Sequence, residues 1–436
     1  MIEELKEIFE LATSLTTLAK EILKLKPNNK NANENDIIIA NKNYSAQIGS
    51  SGDYAKIGNS GDYAQIGSSG DYAQIGSSGD YAKIGNSGYS AQIGSSGDYA
   101  QIGSSGYYAQ IGSSGDYAKI GSSGYSAQIG SSGYSAQIGS SGDYAQIGSS
   151  GDYAKIGSSG DYAKIGNSGD YAQIGSSGDY AQIGSSGDYA KIGNSGYSAQ
   201  IGSSGDYAQI GSSGYYAQIG SSGDYAKIGS SGYSAKINST GDDTVVTGIG
   251  YKTIIKAKKG SWITLAEYDP NNNYKPVCVK SAQIDGKKLK ADTYYILLDK
   301  KFQECVYIDG IISIVISKHK NVYKVRNLNE TKESFIVQDG DIYSHGSTIQ
   351  EAKDSLIYKI SNRDTSKFDN YTFKTELTLK EAIEMYRVIT GACESGTRYF
   401  VETVLTDKKE KYTVQEVITL TQGQYNHEKL VEFFKA

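Results

Sequence analysis

The chain has 436 residues and a net charge of −5, and its 53 Gly and 38 Tyr against 3 Pro and 1 Trp mark a repeat array rather than a string of ordinary domains. The charge is modest and Lys and Arg are not clustered, which argues against a nucleic-acid partner. Cys278, Cys305 and Cys393 are odd in number and far apart, so neither a disulfide framework nor a CxxC metal knuckle is expected, and they fit a reducing compartment.

Residues 1–26 read as one amphipathic helix. Ile8, Leu11, Leu15, Leu18, Ile22 and Leu25 follow heptad spacing. Glu3, Glu4, Glu7 and Glu10 come early and Lys20, Lys24 and Lys26 late, which suits the helix dipole. Pro27 ends the pattern, and residues 27–42 read as a linker. Two roles fit the helix: a homo-oligomer contact, or a cap on the first coil of the repeat array. The same N-terminus carries Glu where a secretory signal needs Lys or Arg, and no apolar run is long enough to span a bilayer. The expectation is no secretion signal, no membrane partner and a cytoplasmic location.

From Asn43 to Thr240 the unit G-[D/Y]-[Y/S]-A-[Q/K]-I-G-[S/N]-S repeats 22 times without a gap. Two degenerate copies, GDDTVVTGI and GYKTIIKAK, come next, and the pattern ends near Gly260. D-Y-A-Q-I is predicted to form a short strand, with G-S-S-G as a tight turn in which Gly takes a positive φ. Alternation then sets Ala and Ile on one face and Tyr or Ser with Gln or Lys on the other. An unpaired Lys is costly to bury, so Ala and Ile must face inward.

The substitutions set the size of the coil. Lys83, Lys119, Lys155, Lys191 and Lys227 recur every 36 residues, and six of the eight units with Tyr in the second slot are even-numbered. A coil of 18 residues sorts these onto two unlike faces, one with Asp, Tyr and spaced Lys, the other richer in Tyr and Ser. A coil of 27 would scatter them. Residues 52–123 recur unchanged as 160–231, so part of the Lys series is a copy. The expected fold is mostly β: a parallel β-solenoid over residues 43–260, about 11 coils and about 50 Å long at the usual strand spacing. Residues 261–319 read as a small β-rich cap and 320–436 as an α+β domain. Strands are predicted at Ser261–Tyr268, Tyr294–Leu298, Ile311–Ile316 and Phe335–Val337, and helices at Thr348–Ile360, Thr378–Thr390 and His427–Phe434.

The tyrosines are the main surface feature, 24 over the 22 units. Aromatic rows beside Ser, Asp and Gln suit a glycan or protein partner, although Tyr is also simply a good strand former. The candidate binding residues are Tyr89, Tyr107, Tyr108, Tyr125, Tyr197, Tyr215, Tyr216 and Tyr233, on the Tyr-rich face. A calcium nonapeptide is not supported, because Asp sits one place early and eight of the 22 units lack it. DNA mimicry fails on charge, with 14 Asp against 8 Lys in the repeats, far sparser than a duplex. The regular face resembles ice-nucleation and antifreeze solenoids, yet Thr-x-Thr arrays are missing. In the C-terminal region His345 and Cys393 are the catalytic candidates, with Asp364 or Glu394 to orient the histidine; a buried Cys and a turn His are the commoner reading. No motif for a cofactor or a metal is present.

Ser344-His345-Gly346, Thr348–Lys359 (TIQEAKDSLIYK), Asn362-Arg363-Asp364 and Tyr386–Thr397 (YRVITGACESGT) resemble an uncharacterised domain that follows SGxY-type repeats in phage and prophage proteins of gut bacteria. GSWITLAEYD at Gly260–Asp269 is similar to the strand that closes those arrays. The resemblance covers about residues 43–436 and implies a phage-linked solenoid protein, cytoplasmic or virion-associated, while carrying no activity and no site residues. The expected function is a non-enzymatic structural and binding protein whose rod acts as spacer and display surface. The alternatives are a Cys/His enzyme in residues 320–436 and an ice-binding rod.

Overall fold

A computed structural model describes residues 38–328, 330–360, 364–405 and 408–435. The helix expected at residues 1–26 lies outside the described residues. The chain divides into two compact units, one ending at Lys301 and the other beginning at Phe302.

The first unit is a parallel β-solenoid with 18 residues per turn. Gln47–Ser50 pairs in register with Gln65–Ser68, Ile48 beside Ile66, and the intervening Lys56–Asn59 pairs with Gln74–Ser77, Ile57 beside Ile75. Odd-numbered units therefore build one sheet (sheet 1), and even-numbered units build a second (sheet 2). Sheet 1 stacks from Gln47–Ser50 to Trp262–Asp269, and sheet 2 from Ile38–Asn41 to Ile254–Ala257. That makes 13 turns rather than 11. The stack runs past the regular units because a rung needs only an inward aliphatic side chain, which Val246 and Ile255 supply in the degenerate copies and Ile263 in the strand after them. It closes in antiparallel pairing, with Lys275–Gln283 on Trp262–Asp269 and Thr293–Leu298 on Ile254–Ala257.

The inward and outward faces fall as expected, but the strand frame does not. The strands are Q/K-I-G-S/N, not D-Y-A-Q-I. Ala, Ile and the following Ser or Asn point inward, as Ala55, Ile57 and Asn59 show by being fully buried. Asp and Tyr form the corner, and at nearly every unit it is the Tyr or Ser, not the Gly, that takes a left-handed φ; Tyr63 has φ 57°. The strand propensity of Tyr yields to hydrogen bonding between coils. In the left-handed conformation the Tyr63 N–H donates to the Asp80 carbonyl of the next turn at 2.8 Å. The corner Gly serves a different need. A Cβ on Gly79 would lie 2.1 Å from the Gly61 carbonyl oxygen, so successive coils touch backbone to backbone at that point.

The corner Asp side chains form a ladder that the sequence does not disclose. The Asp62 Oδ1 accepts from the Asp80 N–H at 3.0 Å, Asp80 from Asp98 at 2.9 Å, and Asp98 from Asp116 at 2.8 Å. Each carboxylate thus satisfies a corner amide one turn away. Asp98→Ala is expected to cost ~1–2 kcal/mol by leaving that amide without its acceptor, and Asp98→Asn, which keeps an oxygen in place, well under half as much. Equal melting temperatures for the two variants would rule the ladder out as a stabilising element.

The second unit opens with an antiparallel meander. Strands β1 (Lys301–Ile308), β2 (Ile311–His319), β3 (Val322–Asn327), β4 (Glu333–Asp339) and β5 (Ile342–Gly346) pair in chain order. Helix α1 (Ile349–Ile360) buries Ala352 and Leu356 against Val337 of β4. A two-stranded ribbon follows, β6 (Glu376–Thr378) with β7 (Lys411–Thr413). Each ribbon strand runs straight into a helix through a capping box, Thr378 with Glu381 and Thr413 with Glu416. Helices α2 (Leu379–Thr390), α3 (Glu394–Tyr399), α4 (Val414–Leu420) and α5 (His427–Lys435) enclose an apolar core that includes Met385, Ile389, Val414 and Leu430. The strands and helices predicted beyond Gly260 fall within observed ones except at Ser261, Thr348 and Thr378, each one residue before its element. Among the described residues no helix is long and apolar enough to cross a membrane.

Candidate functional site

Two regions combine reactive or recognising groups, one in each unit. On the solenoid the outer face of sheet 1 forms an open trough of about 2000 Å³ running from Gln47 to Thr247. Its floor is the strand glycine, where an added Cβ on Gly103, Gly121 or Gly139 would meet nothing within 4 Å. One wall is the Gln/Lys column. Lys119 pairs in register with Gln101 on one side and Gln137 on the other, so lysines occupy alternate rungs, as the 36-residue spacing predicts. The charged residues lining the trough are Lys83, Lys119, Lys155, Lys191 and Lys227, with no acid among them. This is a basic strip on an acidic protein.

The tyrosines stand at the corners on either side of the strands. Tyr63, Tyr81, Tyr99 and Tyr117 stack at ring-centroid distances of 4.9 to 5.0 Å, close to parallel. The eight tyrosines singled out by the sequence gather into two clusters on the corners that lead into sheet 2. In the first, Tyr108 stands edge-on to Tyr107 at 4.6 Å and to Tyr89 at 5.4 Å, while Tyr125 stacks on Tyr107 at 4.9 Å. In the second, Tyr216 meets Tyr197 at 5.3 Å and Tyr233 at 5.8 Å edge-on, with Tyr215 stacked between Tyr197 and Tyr233. Burial, with Tyr216 and Tyr180 nearby, pushes the Tyr197 phenol up to about 12.

In the second unit His345 and Cys393 do come together, from β5 and from the N-cap of α3. A ring nitrogen of His345, the Cys393 Sγ and a carboxylate oxygen of Asp309 all lie within 4.8 Å of one another. The third group is not one of the two acids expected. Asp364 accepts from the Ser366 amide in an exposed turn, and Glu394 pairs with Arg398 at the surface. Asp309 sits instead in the β1–β2 hairpin turn, where Asp309 and Gly310 both have positive φ, 52° and 81°. Asp-Gly between two apolar runs is an ordinary turn signal, which is why the sequence does not mark it.

Asp309 is the hub of this cluster. Its Oδ2 accepts from the Cys393 thiol at 3.1 Å and from the Lys359 ammonium at 2.6 Å, and stands 3.8 Å from His345 Nδ1. Lys359, buried in the last turn of α1, also donates to the Tyr343 carbonyl at 2.7 Å and lies over the Tyr425 ring at 4.0 Å. The Gly396 amide donates to Sγ at 3.2 Å, and a Cβ at Gly396 would lie 3.0 Å from the Asp309 Cβ, so the glycine admits the close approach. Burial pushes the Asp309 carboxyl up, but His345 and Lys359 outweigh it and bring it down to about 2. For His345 burial opposes the charge, yet Asp309 and Cys393 prevail and raise it to about 9. Nδ1 is too far from Oδ2 for a hydrogen bond, so an ion pair carries that coupling. All three cysteines are free thiols, and Cys305 is buried in β1.

The fold is thus a parallel β-solenoid followed by an α+β unit with a buried Asp–His–Cys–Lys cluster. The chain matches no family model, no curated protein and no solved structure.

Proposed function

We propose that the protein is a rigid docking rod whose sheet 1 trough holds an elongated anionic partner, a linear acidic glycan. The observation that carries this is the lysine column on a glycine floor. Rungs about 4.8 Å apart put its charges about 10 Å apart, roughly the reach of an extended disaccharide. A glycine floor lets a flat chain lie against the backbone, and the tyrosine corners flanking each strand offer aromatic faces at the margins. The role of the rod is binding and spacing rather than catalysis, and the resemblance of the C-terminal motifs to phage and prophage proteins favours a phage-associated setting.

Polygalacturonate should bind the full chain in a salt-sensitive manner, while neutral amylose should not. Replacing Lys119, Lys155 and Lys191 together by Gln should weaken binding about tenfold, from three exposed ion pairs at ~0.5 kcal/mol each. The melting temperature should hardly change. Binding that is absent, or unaffected by the triple change, would sink the proposal.

A further inference from the structure

The Asp309–His345–Cys393 cluster has no part in the rod's proposed role, and it is built in a way that packing alone does not require. His345 is almost fully buried with no hydrogen-bond partner for either ring nitrogen. A buried polar group without a hydrogen bond tends to persist where it does chemistry. Cys393 and Asp309 line a cavity of about 60 Å³ together with apolar side chains such as Leu379, Ala382, Phe400 and Leu405. We propose that Cys393 is a nucleophile that takes a small acyl group as a thioester, with His345 as its proton acceptor.

The charges in the cluster support this assignment. Lys359 and Asp309 already neutralise one another at 2.6 Å. With His345 raised to about 9, the proton that Sγ gives up rests on the ring at the pH of the test, and its transfer from Sγ leaves the net charge of the cluster unchanged. The Asp309 carboxylate favours the imidazolium that results. The same three side chains could be read as metal ligands, but the Lys359 ammonium on the shared carboxylate oxygen opposes a divalent cation there. The cavity admits a group of acetyl size. With an activated ester, the Sγ–C bond forms as the C–O bond breaks, and the thiol proton passes through His345 to the departing oxygen. Water then adds to the thioester carbon, its proton returns through His345 to sulfur as the C–S bond breaks, and the acid leaves.

The test is acetylation of the full chain by p-nitrophenyl acetate at pH 6, read by mass spectrometry of peptides. Val388–Arg398 should be acetylated at Cys393 about a hundredfold faster than the half-buried Cys278, the internal control. His345→Gln should abolish that advantage and leave Cys278 unchanged. Labelling of Cys393 no faster than Cys278, or a rate indifferent to His345→Gln, would overturn the proposal. So would uptake of one zinc ion per chain that depends on Cys393, which would make the cluster a metal site.

Discussion

Gly151→Ala should unfold or severely weaken the solenoid, while Gly157→Ala, six residues on, should leave it intact. Both residues belong to the same repeat unit, and neither has a positive φ. Gly151 sits at the corner, where a Cβ would lie 2.0 Å from the Gly133 carbonyl oxygen of the turn before. Backbone cannot move aside there without breaking the rungs above and below, so the cost should be ~3 kcal/mol or more. At Gly157 a Cβ meets nothing within 4 Å, because that glycine faces the trough. Alanine there restricts the unfolded chain and should be neutral or stabilising by up to ~1 kcal/mol. Thermal melts followed by far-ultraviolet circular dichroism separate the two, and equal melting temperatures would contradict the stacking described for the corners.

Asp309→Asn should cost the second unit ~3–5 kcal/mol, because it leaves the buried Lys359 ammonium without its counter-charge. The same cluster sets the pH range of that unit. His345 is raised to about 9 in the folded chain from an ordinary ~6.5, so its contribution is full below about pH 6.5 and is lost as pH rises through about 9. Asp309 is lowered to about 2 from an ordinary ~3.9, so its contribution is present above about pH 4 and is lost as pH falls toward about 2. Hydrogen exchange of peptides from β2 to β5 and from α2 should be slowest between about pH 4 and 6.5, after correction for intrinsic rates. In Asp309→Asn both arms of that profile should flatten. A variant with the protection and pH profile of the unaltered chain would show that the carboxylate is not the hub.

The repeat is legible in the sequence because its constraints are local and repeated 22 times. Invariant Ala and Ile, set two apart, mark the inward face, and the 36-residue lysine spacing marks both the 18-residue coil and the alternate rungs that the trough displays. The outermost rungs are harder to read, because their aliphatic residues keep the inward face without keeping the repeat motif. In the second unit the helices at Ile349–Ile360, Leu379–Thr390 and His427–Lys435 are legible from periodicity and caps.

The sequence by itself determines the coil, its inward Ala and Ile and the pairing of His345 with Cys393 as candidates, but not the inward Ser or Asn. Tertiary structure alone decides three things. The strand frame depends on which carbonyl the Tyr63 amide can reach in the next turn, a contact between distant residues about which propensity says nothing. The corner glycine is required by backbone contact between coils, not by its own φ. Asp309 meets Lys359, Cys393 and His345 because a hairpin turn and the end of a helix converge on one oxygen, and a turn Asp and a helix-terminal Lys look the same in sequence whether or not anything meets them in space.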